Sequence, residues 1–256
     1  MAKEFSHSIS TDPPHDIFER LVNALGTGTL REMATAVEDI TVVRGFMTDI
    51  DPYHFREGGP LGVQAGLPPT EFYERYLRVP LQWSPFWKNA EVICTGNGLA
   101  LVQRFDEPLV FRHETDVRRF DIQVKIAHTS LPSDPRQGGV CQMPRVPGSV
   151  NTKYGQPRPV VRLAEGISIT HKQFEEFVER VISEPMTSIL ETLFGATQIC
   201  PCPLCDRADA RLAPVQKGKA LRCNKCGQHT MARFYATILT DREPNNQSND
   251  NEVNYE

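Results

Sequence analysis

Apolar residues recur along this chain at two different periods, and each change of period marks a new element. Ile17, Leu21 and Leu25 share one side of a short helix that Gly26 and Gly28 close, and residues 29 to about 40 read as a second helix. Residues 40–47 have the β-branched content of a strand, whereas glycines and prolines break any pattern over 51–69, which is a long loop. Thr70 predicts the N-cap of a helix through Leu77, with Glu71 and Glu74 near its positive end.

Beyond residue 90 the chain becomes strand-rich. Residues 91–95 and 99–105 flank Gly96-Asn97-Gly98, a hairpin signal, and 109–112 predict a further strand. Residues 119–127 alternate at period two. They predict a strand with Arg119, Asp121, Gln123 and Lys125 on one face and Phe120, Ile122, Val124 and Ile126 on the other. A sheet with one buried side and one polar, partly basic side follows. Residues 130–159 are rich in proline and glycine without periodicity, a loop of the functional or disordered kind. A strand then runs to Gly166. Thr170 with Gln173 forms a capping box for a helix whose apolar face is Phe174, Phe177, Val178 and Val181.

Cys202-Pro-Leu-Cys205 and Cys223-Asn-Lys-Cys226 carry the most specific chemistry in the chain. A Cys-x-x-Cys turn lets two thiolates grip one metal, and two such turns complete a tetrahedral zinc set. Four sulfurs leave no open position, so the ion is structural and its binding energy becomes folding energy. Residues 211–222 read as two short strands around a Lys217-Gly218-Lys219 turn, and 230–239 as a third, completing a ribbon. His229 lies close enough to Cys226 to replace a sulfur, but with four well-spaced thiols it reads as a surface histidine, and Cys200 stands at the wrong spacing from Cys202 to replace Cys205.

The expected fold is therefore α+β: an antiparallel sheet with flanking helices, plus a small C-terminal three-stranded zinc ribbon. Its parts are a flexible start (1–15), a main domain (16–199) containing the 130–159 loop, the ribbon (200–239) and a disordered acidic tail (240–256). No apolar run spans a membrane and no leader stands out. Cys94 and Cys141 are isolated, so the seven cysteines do not form a disulfide framework and an intracellular protein is expected.

The net charge of −4 is unevenly spread. The ribbon holds seven basic residues against two acidic, and 101–170 ten against seven, as contact with a polyanion requires. Enzymatic motifs are lacking. Asp49-Ile-Asp51 with His54 has the groups of a hard-metal site but reads first as a turn, and there is no phosphate-binding or dinucleotide loop. Trp83-Ser-Pro-Phe-Trp87 reads as core packing. No catalytic residue is expected.

Two resemblances bear on function. The Cys-Asn-Lys-Cys-Gly knuckle with an aromatic segment behind it resembles the zinc ribbons of transcription factors and polymerase subunits, including elongation factors of the S-II type. Those elongation factors carry an acidic pair at the tip. Here the tip is Lys217-Gly218-Lys219, which suits phosphate contact instead. Gly166-Ile-Ser-Ile-Thr-x-x-Gln-Phe174, within 159–181, resembles the strand-to-helix segment of the positive cofactor four family of coactivators, which bind single-stranded DNA. That resemblance implies phosphate contacts from Arg119, Lys125, Arg158 and Arg162 and base stacking by Phe120 or Tyr154. The expectation is a zinc-ribbon accessory protein binding nucleic acid, single-stranded DNA foremost, in transcription or replication. The alternative is an assembly subunit whose ribbon braces an interface with protein partners.

Overall fold

The computed structural model describes residues 40–58, 62–64, 66–133, 140, 144–153, 155–205 and 207–238. The helices expected over 16–25 and 29–40, Tyr154, Cys141 and the acidic tail lie outside the described residues, the last residue of the second helix excepted.

β1 (Val42–Ile50) is followed by a helix, α1, built of three consecutive runs, Pro69–Phe72, Tyr73–Leu77 and Arg78–Trp83. It starts with proline in the first turn rather than on a Thr70 cap. Pro80 has no N–H for residue 76, and the preceding turn is widened: the Arg78 N–H bonds the carbonyl of Tyr73. β2 (Glu91–Cys94) and β3 (Leu99–Val110) form the expected hairpin, with Gly96 at φ 90° and the Thr95 N–H donating to Gly98 O at 2.8 Å. Residues 109 and 110 are the end of β3 and not a separate strand.

Residues Glu114–His128 form a helix, α2, which corrects the strand expected over 119–127. Its buried positions Val117, Phe120, Asp121, Val124, Ala127 and His128 recur at three to four residues. Ile122 is 57 % exposed, so the period-two alternation was a by-product of apolar residues set on both sides of one helix. Acidic Glu114 and Asp116 sit in the first turn, basic Lys125 and His128 in the last, as the helix dipole favours.

The chain continues through the two-residue strands β4 (Val150–Asn151) and β5 (Arg158–Pro159) to β6 (Val161–Ala164) and the helices α3 (His171–Ser183) and α4 (Pro185–Phe194). Both halves of the capping box form: Gln173 N–H donates to Thr170 Oγ1 at 3.1 Å and Thr170 N–H to Gln173 Oε1 at 2.8 Å. Then come β7 (Leu212–Val215), β8 (Ala220–Cys223), β9 (Gly227–His229) and α5 (Met231–Ile238).

The fold is α+β. β1, β3, β2 and β6 pair in that order, antiparallel throughout, and β7-β8-β9 make the small ribbon sheet that carries the four cysteines. Its third strand is Gly227–His229. The segment expected to be that strand is helical, because Thr230 caps it through the Arg233 N–H and Phe234 turns fully inward.

Two cores result. In the larger, Phe46, Leu99, Leu101 and Phe105 of the sheet meet Phe120 and Val124 of α2 and Phe174 and Val178 of α3, with Phe86 and Trp87 beneath. Trp87 satisfies its indole N–H on Ser130 Oγ at 2.8 Å, so the aromatic cluster is mostly core, although Trp83 stays 66 % exposed. The smaller core joins Met186, Ile189, Leu190 and Leu193 of α4 to Cys202, Ala210, Leu212, Leu221, Cys223 and Phe234. The ribbon is thus packed on a helix that precedes it.

His128 gives the larger core a pH dependence. Its Nε2 lies 2.9 Å from Met47 O, and burial holds its pKa down at about 4, against weaker upward pulls from that bond and Asp121. Between that value and the ordinary 6.5 the unfolded chain binds more protons than the folded one. Stability is therefore full above 6.5 and falls as pH drops toward 4, by up to about 3 kcal/mol. Urea denaturation at pH 7 and 5 checks this. His128→Gln, which keeps a donor for Met47 O, should flatten the dependence, and an unchanged slope would discount His128.

Among the described residues, no helix is long and apolar enough to cross a membrane.

Candidate metal centre

Three local features place the cysteines. Ile199 and Leu212 exchange two backbone hydrogen bonds at 2.9 Å, tying the segment before the first knuckle to β7. The Asn224 side chain accepts from Arg211 N–H at 2.8 Å while its own N–H bonds Arg211 O at 3.2 Å, fastening the second knuckle to the same strand. Gly227, at φ 91°, makes the turn out of Cys226 that a β-carbon would strain.

The four sulfurs of Cys202, Cys205, Cys223 and Cys226 all lie within 4.8 Å of one another. Cys205 and Cys223 are 3.9 Å apart, and a tetrahedral ion with sulfurs at about 2.3 Å sets sulfur pairs about 3.8 Å apart. The set therefore fits a tetrahedral metal. Cys202 and Cys223 are buried, Cys205 and Cys226 partly exposed. Burial raises the Cys202 thiol, and burial alone would raise Cys223 too, but N–H groups of Cys226 and Lys225 outweigh it and hold Cys223 at about 7.

His229 is not on the surface. It pairs with buried Leu221 across the ribbon and shares its inward face, is 3 % exposed, and sets Nε2 3.1 Å from Cys226 Sγ. Counting the alternation back from β8 would have revealed this. The other overlooked element is α4. Its stripe Met186, Ile189, Leu190, Leu193, with Pro185 before it and Gly195 in the left-handed region after it, is a complete helix signature.

The basic tip is docked. The Met186 N–H donates to Gly218 O at 2.7 Å, and a β-carbon on Gly218 would come within 2.6 Å of Thr187 Oγ1 and 2.9 Å of Glu184 Cα. With φ at 76°, Gly218→Ala should cost about 2 kcal/mol. A denaturant midpoint unmoved by this change would mean the tip is not held. At the far end, Tyr235 is partly buried and its hydroxyl donates to the carbonyls of Thr129 and Leu131, so α5 fastens the ribbon to the end of α2.

Of the nucleic-acid candidates, Arg119 and Lys125 lie on α2 instead of a sheet, with Lys125 paired to Asp121 at 2.7 Å. Arg162 on β6 is bound to Glu91 at 2.6 Å and Glu165 at 2.9 Å, and Arg158 on β5 reaches Gly96 O at 3.3 Å. Phe120 is 2 % exposed, so it cannot stack on a base. Lys217 and Lys219 are exposed at the tip. The six cations are spread over α2, the β5–β6 segment and the ribbon.

Asp49, Asp51 and His54 do not gather. Among the described residues the four cysteines are the one set of three or more ligand groups within reach of one ion. Asp51 instead accepts from the Tyr53 hydroxyl at 2.6 Å and lies against Gly98 of the hairpin turn. Cys94 is buried in β2. Compared with family models, curated proteins and solved structures, the chain matches none.

Proposed function

We propose that the four-cysteine centre holds zinc structurally and that the ribbon it closes contacts the backbone of a nucleic acid, single-stranded DNA foremost, as an accessory factor in transcription or replication. The observation that carries this is the density of exposed, unpaired basic side chains on the small ribbon. In the main body Arg75, Arg78, Arg104, Arg118, Lys125, Arg162 and Arg180 are engaged by carboxylates, while exposed Arg56, Lys88, Arg112, Arg119, Arg145 and Arg158 have no acidic partner among the described residues. On the ribbon and α5, Arg211, Lys217, Lys219, Arg222 and Arg233 are exposed and have no acidic partner among the described residues, while Lys225 pairs with Asp209 and Arg207 acts on the same carboxylate. Arg222 stands on the outward face of β8 between Ala213 and Gln228, neither of them acidic. Unpaired cations on a rigid face are what phosphate contact needs. The resemblance to transcription-factor ribbons favours the same reading.

Filter binding of a single-stranded oligonucleotide at two salt concentrations tests it. Log affinity should fall with log salt. Arg222→Glu should weaken all sequences alike and lower the slope by about 0.7 for each phosphate no longer neutralised. Absence of binding at low salt would sink the proposal. It would promote the assembly reading, which the exposed pair Val79 and Trp83, one turn apart on α1, favours.

A further inference from the structure

We infer that the four thiolates are graded by the N–H groups aimed at them, so that Cys205 is the electrophile-reactive sulfur of the centre and His229 keeps Cys226 from sharing that role. This rests on the metal reading above.

The donors are unevenly distributed. Cys202 Sγ receives Leu204 N–H at 3.4 Å, and Cys223 Sγ receives Lys225 N–H at 3.3 Å and Cys226 N–H at 3.4 Å. Those amides come with the knuckle geometry, whatever the side chains. Cys226 Sγ lies 3.1 Å from His229 Nε2 and has no backbone donor among the described residues. No N–H of the described residues is aimed at Cys205 Sγ, whose side-chain neighbours are the other three thiols, Cys223 Sγ among them at 3.9 Å. Cys205 and Cys226 are both partly exposed, so exposure does not separate them, and hydrogen bonding does.

A hydrogen bond to a thiolate stabilises the charge and ties up the electron pair that attacks an electrophile. His229 is built for that one contact. It is 3 % exposed and its Nδ1 has no partner among the described residues, so the approach of Nε2 to the Cys226 sulfur is the ring's one hydrogen-bond contact there, with Nε2 as donor when the sulfur is a thiolate. Burying an imidazole for less would be costly, and an apolar residue opposite Leu221 would have packed as well.

The matching ligand is a soft electrophile. With a maleimide, the Cys205 sulfur lone pair adds to the carbon–carbon double bond, one S–C bond forms, and the adjacent carbon takes a proton from water. The metal loses that sulfur, and the closed site opens at Cys205.

The test uses the full chain, zinc-loaded, with Cys141→Ser and Cys200→Ser so that ligands and buried Cys94 are the remaining thiols. Zinc content is measured first. Limiting N-ethylmaleimide is then added, and the modified peptide is mapped by mass spectrometry alongside zinc release to a chromogenic chelator. Cys205 should be alkylated first, about tenfold ahead of Cys226. His229→Phe should bring Cys226 level with Cys205, and His229→Gln, which returns a donor, should restore the gap. Alkylation starting at another ligand overturns the inference while leaving the metal reading intact, as does a His229→Phe variant that speeds all four cysteines equally. A chain that takes up no zinc overturns both, and shows it before any reagent is added.

Discussion

Stripping the metal is expected to unfold the ribbon and α4 together while leaving the four-stranded sheet folded. Cys202 and Cys223 are themselves part of the smaller core, 0 % and 2 % exposed, and they pack with Met186, Ile189, Leu190 and Leu193. Without the ion, buried sulfurs that a tetrahedral bond network held together are left adjacent and uncompensated. Structural zinc contributes roughly 10–16 kcal/mol in small peptides, as much as a whole domain's net stability of about 5–15 kcal/mol. A three-stranded ribbon cannot replace that with its own burial. Hydrogen exchange before and after chelation is the measurement. Amides of α4 and of β7 to β9 should lose protection as one unit, and those of β1 and β3 should keep it. Cys223→Ser should reproduce the pattern without a chelator. If α4 keeps its protection, its stability comes from the larger core and its packing on the ribbon is energetically minor.

Truncating Phe174 should be the most damaging single change in the larger core. Its ring is fully buried and meets Phe46 at 5.0 Å, Phe120 at 5.4 Å, Phe105 at 5.8 Å and Phe86 at 6.3 Å, so it touches β1, β3, α2 and the segment before β2 at once. A void at that junction cannot be closed by moving one neighbour. Phe174→Ala is expected to cost about 3–5 kcal/mol, read as a lower urea midpoint with unchanged steepness. Phe174→Leu leaves a smaller void and should cost less. A loss under about 1 kcal/mol for the alanine variant would mean that the surrounding rings collapse into the space.

The elements legible in the chain are those whose signals are local. The Gly96-Asn97-Gly98 turn, the Thr170–Gln173 capping box and the two Cys-x-x-Cys knuckles each need only a few adjacent residues to form, and all are in place. The misread segments failed where a local period was ambiguous. Residues 119–127 satisfy strand alternation and helix spacing alike, and Phe120 and Val124 settle into a helix because rings of the sheet and of α3 wait on one side only. Residues 231–238 have strand-like composition, but a Thr230 cap and a pocket for Phe234 make them helical.

The metal ligands and the α+β class were therefore written in the residues themselves, since ligand spacing and turn chemistry act over a handful of bonds. Which partners the knuckles would have was not. That His229 turns in toward Cys226, that Gly218 rests on the start of α4, and that Arg162 is engaged by Glu91 all depend on residues distant in the chain. Such pairings appear only when strand register and helix docking bring those residues face to face, because burial and charge neutralisation act through space and not along the chain.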